Sequence, residues 1–273
     1  MNTFIPTLSI LILSIIVTLP VQAADSVREP CTNCLLLSQA DTTDQQSTLG
    51  DKANYVQLQT ASQHLFTAYV AGPQHAQQAI LLIHGWWGLN REVETWANEF
   101  AVAGYRVMAV DLYNHKTTTN PVTAKKLMQA VKQSVANEQY AAAIEVLSAP
   151  GRKVAIIGRS YGASQALHAA LVAPDKVSAT IVYYPYGELI TDKNTLTAIK
   201  APILGHFARN DFFFTPDKLE QFVSAIKQSG LSMTVNIYNA RHGFDTPTTN
   251  NFNESAHQLA QQRTRQFLDQ YLN

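Results

Sequence analysis

From residue 53 onward, short apolar runs alternate with longer amphipathic stretches. Residues 55–60 and 64–71 alternate apolar and polar side chains at period two, which predicts two strands forming an opening hairpin. Residues 78–83, 105–110, 153–157, 178–184, 202–206 and 232–238 are short runs rich in Val, Ile, Leu and Ala, the pattern of further strands. Helical spacing falls between or after them, at 91–103, over 121–147 as one or two helices, and at 160–172, 216–229 and 252–272. Strands separated by helices of this length need right-handed crossovers, and therefore a mostly parallel sheet covered by helices on both faces. The pattern predicts one α/β domain over residues 53–273.

The beginning of the chain is different. Residues 1–23 carry no charged side chain, and a Leu, Ile and Val run ends at Pro20 before the small-residue stretch Val21-Gln22-Ala23-Ala24. This reads as a signal peptide cut near Ala23, so export to a periplasm or the exterior is expected, with no stable membrane span after cleavage. Residues 24–52 are rich in Ser, Thr, Asp and Gln and read as a flexible arm. Both cysteines lie in it, as Cys31-Thr32-Asn33-Cys34. In an exported chain this pair suggests a small local disulfide, with two free thiols as the alternative.

Composition narrows the class. The 20 Lys and Arg balance the 20 Asp and Glu, which argues against a nucleic-acid partner. Apolar residues make up 46% and charged residues 15%, enough for a substantial core. The histidines are scattered, without a metal-ligand spacing, so neither a metal nor a cofactor is expected.

One pentapeptide carries chemistry. Gly158-Arg159-Ser160-Tyr161-Gly162 stands between a strand and a helix, the context in which G-x-S-x-G forms a sharp turn that projects its serine hydroxyl. A serine needs a base, and the base needs an orienting acid. Asp211 follows the strand at 202–206, and His242 follows the strand at 232–238. The order Ser160, Asp211, His242 is that of the α/β-hydrolases, and all three fall at the carboxyl ends of parallel strands. An oxyanion hole calls for two backbone donors, expected from Tyr161, after the serine, and from Trp86 in His84-Gly85-Trp86-Trp87-Gly88. His84 reads as a hydrogen-bonded structural histidine.

Five segments in order resemble the dienelactone hydrolase family. They are residues 80–90 around His84-Gly85-Trp86-Trp87-Gly88, residues 104–113 ending in Asp111-Leu112-Tyr113, the Ser160 pentapeptide, Val182-Tyr183-Tyr184-Pro185-Tyr186-Gly187, and Arg241-His242-Gly243-Phe244. The resemblance implies an eight-stranded α/β-hydrolase sheet, a compact site without a large lid, Ser160 as nucleophile, Asp211 as acid and His242 as base. It also implies Trp86 and Tyr161 as oxyanion donors. The founding members of that family use a cysteine where Ser160 stands. They also place a glutamate at the position of Gly85 and a carboxylate-gripping arginine at the position of Thr246.

These departures favour a neutral ester of small or medium size over an anionic dienelactone, with its apolar part against Trp86, Trp87, Tyr184 or Tyr186. The expected activity is hydrolysis of a small-molecule carboxylic ester through an acyl-enzyme. The alternatives are a non-catalytic binding protein on the same fold and a peptidase or acyltransferase on the same triad.

Overall fold

A computed structural model describes residues 54–148, 151–187 and 189–273. The signal peptide, the arm and the Cys31–Cys34 disulfide read from the sequence lie outside the described residues. Eight strands form one sheet: β1 (Tyr55–Gln59), β2 (Leu65–Ala71), β3 (Gln78–Ile83), β4 (Arg106–Val110), β5 (Lys153–Arg159), β6 (Val177–Tyr183), β7 (Ile203–Ala208) and β8 (Met233–Tyr238). Their spatial order is β1-β2-β4-β3-β5-β6-β7-β8. The opening hairpin is antiparallel, β2 meets β4 antiparallel, and all other neighbours run parallel.

Side chains alternate across the central strands, and both faces are dry. On β3, Leu81 and Ile83 join one core with Val154 and Ile156, while Ile80 and Leu82 join a second core on the opposite face with Ala155 and Ile157. Strands buried on both faces read as continuous apolar runs, which is why these segments stood out in the sequence. The first core is closed by α3 (Gln133–Ser148), α4 (Tyr161–Val172) and α6 (Pro216–Ser229). The second is closed by α1 (Arg91–Val102) and α7 (Glu254–Leu272), through Trp96, Phe100, Phe267 and Leu268.

The helix ends follow local chemistry. Asn90 caps α1 by accepting the Val93 N–H at 3.2 Å, and Asn120 caps α2 (Pro121–Ala130), whose first turn holds Pro121 where no intrahelical donor is needed. An extended Val131 separates α2 from α3, resolving the 121–147 stretch into two helices. The sequence reading missed only the short α5 (Lys193–Leu196), whose signal was the Asp192 cap on Thr195 N–H at 2.7 Å.

The parallel register matters most for function. Ile83 pairs with Gly158, Gly158 with Val182, and Tyr183 with His206. The loops that leave β3, β5, β6, β7 and β8 therefore emerge side by side on one edge of the sheet, where ligand sites of α/β folds collect.

Candidate active site

The turn after β5 can form only because two residues have no side chain. A Cβ on Gly158 would lie 2.0 Å from the Gly162 carbonyl oxygen, and one on Gly162 would lie 2.1 Å from that of Ile83. Between them Ser160 adopts φ 54° and ψ −121°, a conformation that costs a non-glycine residue strain and is held here by its surroundings. Its N–H donates to Tyr183 O at 2.9 Å, and its carbonyl accepts from Ala163 at 2.9 Å and Tyr186 at 3.1 Å. The Ser160 hydroxyl does not cap α4.

That hydroxyl instead lies 2.9 Å from His242 Nε2, and His242 Nδ1 lies 2.8 Å from Asp211 Oδ2. Asp211 is buried, and its other oxygen accepts the N–H groups of Phe213 at 2.8 Å and Phe214 at 3.0 Å. A carboxylate so held can accept the Nδ1 proton, which leaves Nε2 free to take one from the serine. The His242 loop is fixed by Asn251, whose side chain donates to the His242 carbonyl at 2.9 Å. Asp217, the next aspartate along the chain, sits exposed in the first turn of α6.

Tyr161 is the first residue of α4, where a helix leaves its N–H groups without intrahelical acceptors. Trp86 lies in the loop after β3, across the same pocket. Of the site residues read from the sequence, Ser160, His242, Trp86, Trp87, Tyr184 and Tyr186 line one pocket, with Asp211 behind His242 and Tyr161 next to Ser160 in the chain, while Cys31 and Cys34 lie outside the described residues.

The pocket has a volume of about 180 Å³ and two unlike groups of lining residues. One is an arc of touching aromatic rings: Trp87 against Trp86 at 4.7 Å between centroids, Trp86 against Tyr186 at 5.5 Å, Tyr186 against Phe213 at 5.2 Å, and Phe213 against His242 at 5.0 Å. The other is mostly polar or charged and includes Asn90, Glu92, Thr246, Thr249 and Arg159, with Trp96. Sequence reasoning missed Phe213, whose signal was the Phe212-Phe213-Phe214 run directly after Asp211, and the Arg159–Glu92 pair.

Arg159 is a buried cation with two acidic partners. Its guanidinium lies 3.7 Å over the Trp96 ring, reaches Glu92 at 3.3 Å, and pairs with the fully buried Asp245. Burial alone would lower the guanidinium's pKa, but the Asp245 carboxylate reverses that and raises it. Burial likewise works against the Asp245 carboxylate, yet Arg159, His257 and Gln261 hold it below the usual carboxylate range. Among the described residues, no group of His, Cys, Asp and Glu is placed to hold a metal ion.

The family model of the dienelactone hydrolases matches residues 66–272. The chain belongs to this family. It is a hydrolase of the α/β-hydrolase fold. A chain of Aquifex aeolicus named as a candidate carboxymethylenebutenolidase is 27% identical over 187 residues, 64% of this chain and 80% of the relative. Protein usf of Aquifex pyrophilus is 25% identical over the same shares of the two chains. The crystal structure of a candidate dienelactone hydrolase from Klebsiella pneumoniae superposes with a TM-score of 0.69 at 18% identity, covering 80% of this chain and 98% of that one.

Within the dienelactone hydrolase frame, the positions where this sequence departs are open to inspection. A Cβ on Gly85 would meet nothing nearer than 3.5 Å, so close packing does not force glycine there. Thr246 is buried, and its hydroxyl lies 3.1 Å from Tyr184 Oη. It fills its place with a neutral hydrogen bond where an arginine would bring charge.

Proposed function

We propose that the protein is an exported serine hydrolase that cleaves neutral carboxylic esters through an acyl-enzyme. The observation that carries this reading is the unbroken hydrogen-bonded chain from Ser160 Oγ through His242 to Asp211, with spacings of 2.9 Å and 2.8 Å. In the proposed cycle Ser160 attacks the ester carbonyl while His242 Nε2 takes its proton. The tetrahedral oxyanion is held by the N–H groups of Trp86 and Tyr161. His242 then protonates the departing alcohol, water enters, and the same base activates it against the acyl-enzyme. Asp211 keeps the imidazole in the productive tautomer and stabilises its charged form.

The charge arrangement of the pocket supports the choice of a neutral substrate. Among the described residues the lysine or arginine lining it is Arg159, which is compensated by both Glu92 and Asp245, and Thr246 offers no charge to a carboxylate. The aromatic arc supplies an apolar surface for an acyl or alkoxy group. Export rests on the uncharged apolar stretch at residues 1–23.

Turnover of p-nitrophenyl esters tests the reading. Neutral acyl chains should be hydrolysed, a chain ending in a carboxylate should react at least tenfold more slowly, and Ser160→Ala should abolish both reactions. A folded protein with no turnover of any neutral ester would favour the non-catalytic alternative.

A further inference from the structure

His84 is fully buried under the loop that follows β3, and its two ring nitrogens meet partners of opposite kind. Nε2 lies 3.1 Å from the backbone N–H of Leu112, a donor, so this nitrogen accepts and carries no proton. Nδ1 lies 2.7 Å from the carbonyl oxygen of Gly85, an acceptor, so this nitrogen carries the ring proton and donates it. Burial lowers the pKa of the imidazole and so favours the neutral ring. The Gly85 carbonyl also accepts the N–H of Gly88 at 3.3 Å.

The peptide unit that ends in the Gly85 carbonyl also contains the N–H of Trp86. In a trans peptide these two groups point in opposite directions. Fastening the carbonyl to His84 and Gly88 therefore turns the Trp86 N–H away from both. Among the described residues that N–H has no acceptor. The same stretch of backbone runs beside the serine, since a Cβ on Gly85 would lie 3.9 Å from Ser160 Cβ and 3.5 Å from the Arg159 carbonyl oxygen.

The geometry points to His84 as a positioning residue for the oxyanion hole: by gripping the Gly85 carbonyl it sets the direction of the Trp86 N–H before substrate arrives. This rests on the serine-esterase reading of the site. A donor fixed in advance stabilises developing charge without reorganising, whereas a peptide free to rotate offers its N–H only part of the time. Both ring nitrogens of His84 are engaged by backbone groups, so neither is offered to substrate or to the reacting atoms. The effect of His84 passes through one peptide plane, and it should be felt in the transition state more than in substrate binding.

The test uses the full-length protein and two substrates, an aryl ester and its thionoester, in which the carbonyl oxygen is sulfur. An oxyanion hole built from N–H donors favours oxygen over sulfur, so the ester-to-thionoester ratio of kcat/KM reports the hole itself. His84→Leu should lower kcat for the ester about 100-fold, the usual cost of losing one oxyanion donor, with KM within about threefold. The ester-to-thionoester ratio should fall at least tenfold with it. His84→Asn, whose amide can still donate to the Gly85 carbonyl, should recover at least tenfold of the lost kcat. If His84→Leu does not fold, His84→Met takes its place, since its thioether has no proton to donate to Gly85 and is a weak acceptor for Leu112.

An unchanged ratio in a variant that only melts earlier would overturn the proposal and leave His84 a packing residue. Absence of turnover in the parent, or equal turnover in Ser160→Ala, would overturn the esterase reading together with it. That result is visible before any His84 variant is compared.

Discussion

Arg159 and Asp245 form a buried ion pair that joins the residue before Ser160 to the residue three places after His242. The serine and the histidine arrive from different strands, β5 and β8, which are not neighbours in the sheet. A guanidinium–carboxylate link between their loops is therefore a direct mechanical tie between the two groups that must meet at 2.9 Å. His257 Nδ1 at 2.7 Å and Gln261 complete the coordination of Asp245 from α7.

Removing Asp245 should be costly because it leaves Arg159 buried beside Glu92 alone. Asp245→Ala is expected to destabilise the fold by about 3–5 kcal/mol, the usual cost of breaking a buried pair from one side. Urea unfolding measures it. A loss under about 1 kcal/mol, the range of an exposed pair, would mean that the pair is not a structural tie.

The acid proposed for the triad can be checked against a nearby aspartate. Asp211→Asn removes the group that fixes the His242 tautomer and should lower kcat about 10⁴-fold while the protein stays folded. Asp217→Asn, on the exposed first turn of α6, should change kcat less than twofold. Steady-state kinetics of the two variants decide the assignment, and a reversed order would show that Asp211 is not the acid.

The glycines of the elbow differ sharply from Gly85. Alanine at Gly158 or Gly162 would bring its Cβ to 2.0 Å or 2.1 Å from backbone oxygen, so the turn itself must deform. Both substitutions should abolish esterase activity and lower the unfolding midpoint. Gly85→Ala, with 3.5 Å to its nearest neighbour, should stay within about 0.5 kcal/mol of the parent in stability. Thermal melts of the three variants separate the cases, and equal stability throughout would contradict the packing described.

Acid should weaken the fold before the carboxylates titrate. Burial lowers the pKa of His206, between Tyr238 and Thr264, to about 3, and burial also lowers that of His84. Below the unfolded value near 6.5 the unfolded chain binds protons that the folded chain refuses. Each such histidine then costs about 1.4 kcal/mol of stability per pH unit. His257 has the opposite sign: its bond to Asp245 raises its pKa, so its contribution is complete below 6.5 and is lost as pH rises through the folded value. Unfolding free energies at pH 7 and 5.5 should therefore differ by more than 1 kcal/mol, with the acid sample weaker, and His206→Gln should reduce the difference. Equal values at the two pH settings would refute it.

Much of this was legible from the chain because the relevant signals are local. β3 and β5 announce themselves as unbroken apolar runs, since both of their faces are covered. Ser160 stands in a turn that only flanking glycines permit, and Asp211 and His242 follow recognisable strands. Phe213 was signalled only by the Phe run after Asp211, and Glu92 was not legible as a site residue, because what places it in the pocket is the convergence of loops distant in sequence. Arg159 is the clearest case. An arginine beside the serine carries no local sign of its partners, and Asp245 lies 86 positions away. The break at Val131 was also hidden, since neither glycine nor proline marks it.

The central claim is that Ser160 is an activated nucleophile. Intact-mass spectrometry after treatment with a fluorophosphonate tests it without assuming a substrate. One phosphonyl adduct on the folded parent, absent from Ser160→Ala, is the result expected. An unmodified parent, or an adduct that persists in Ser160→Ala, would contradict it.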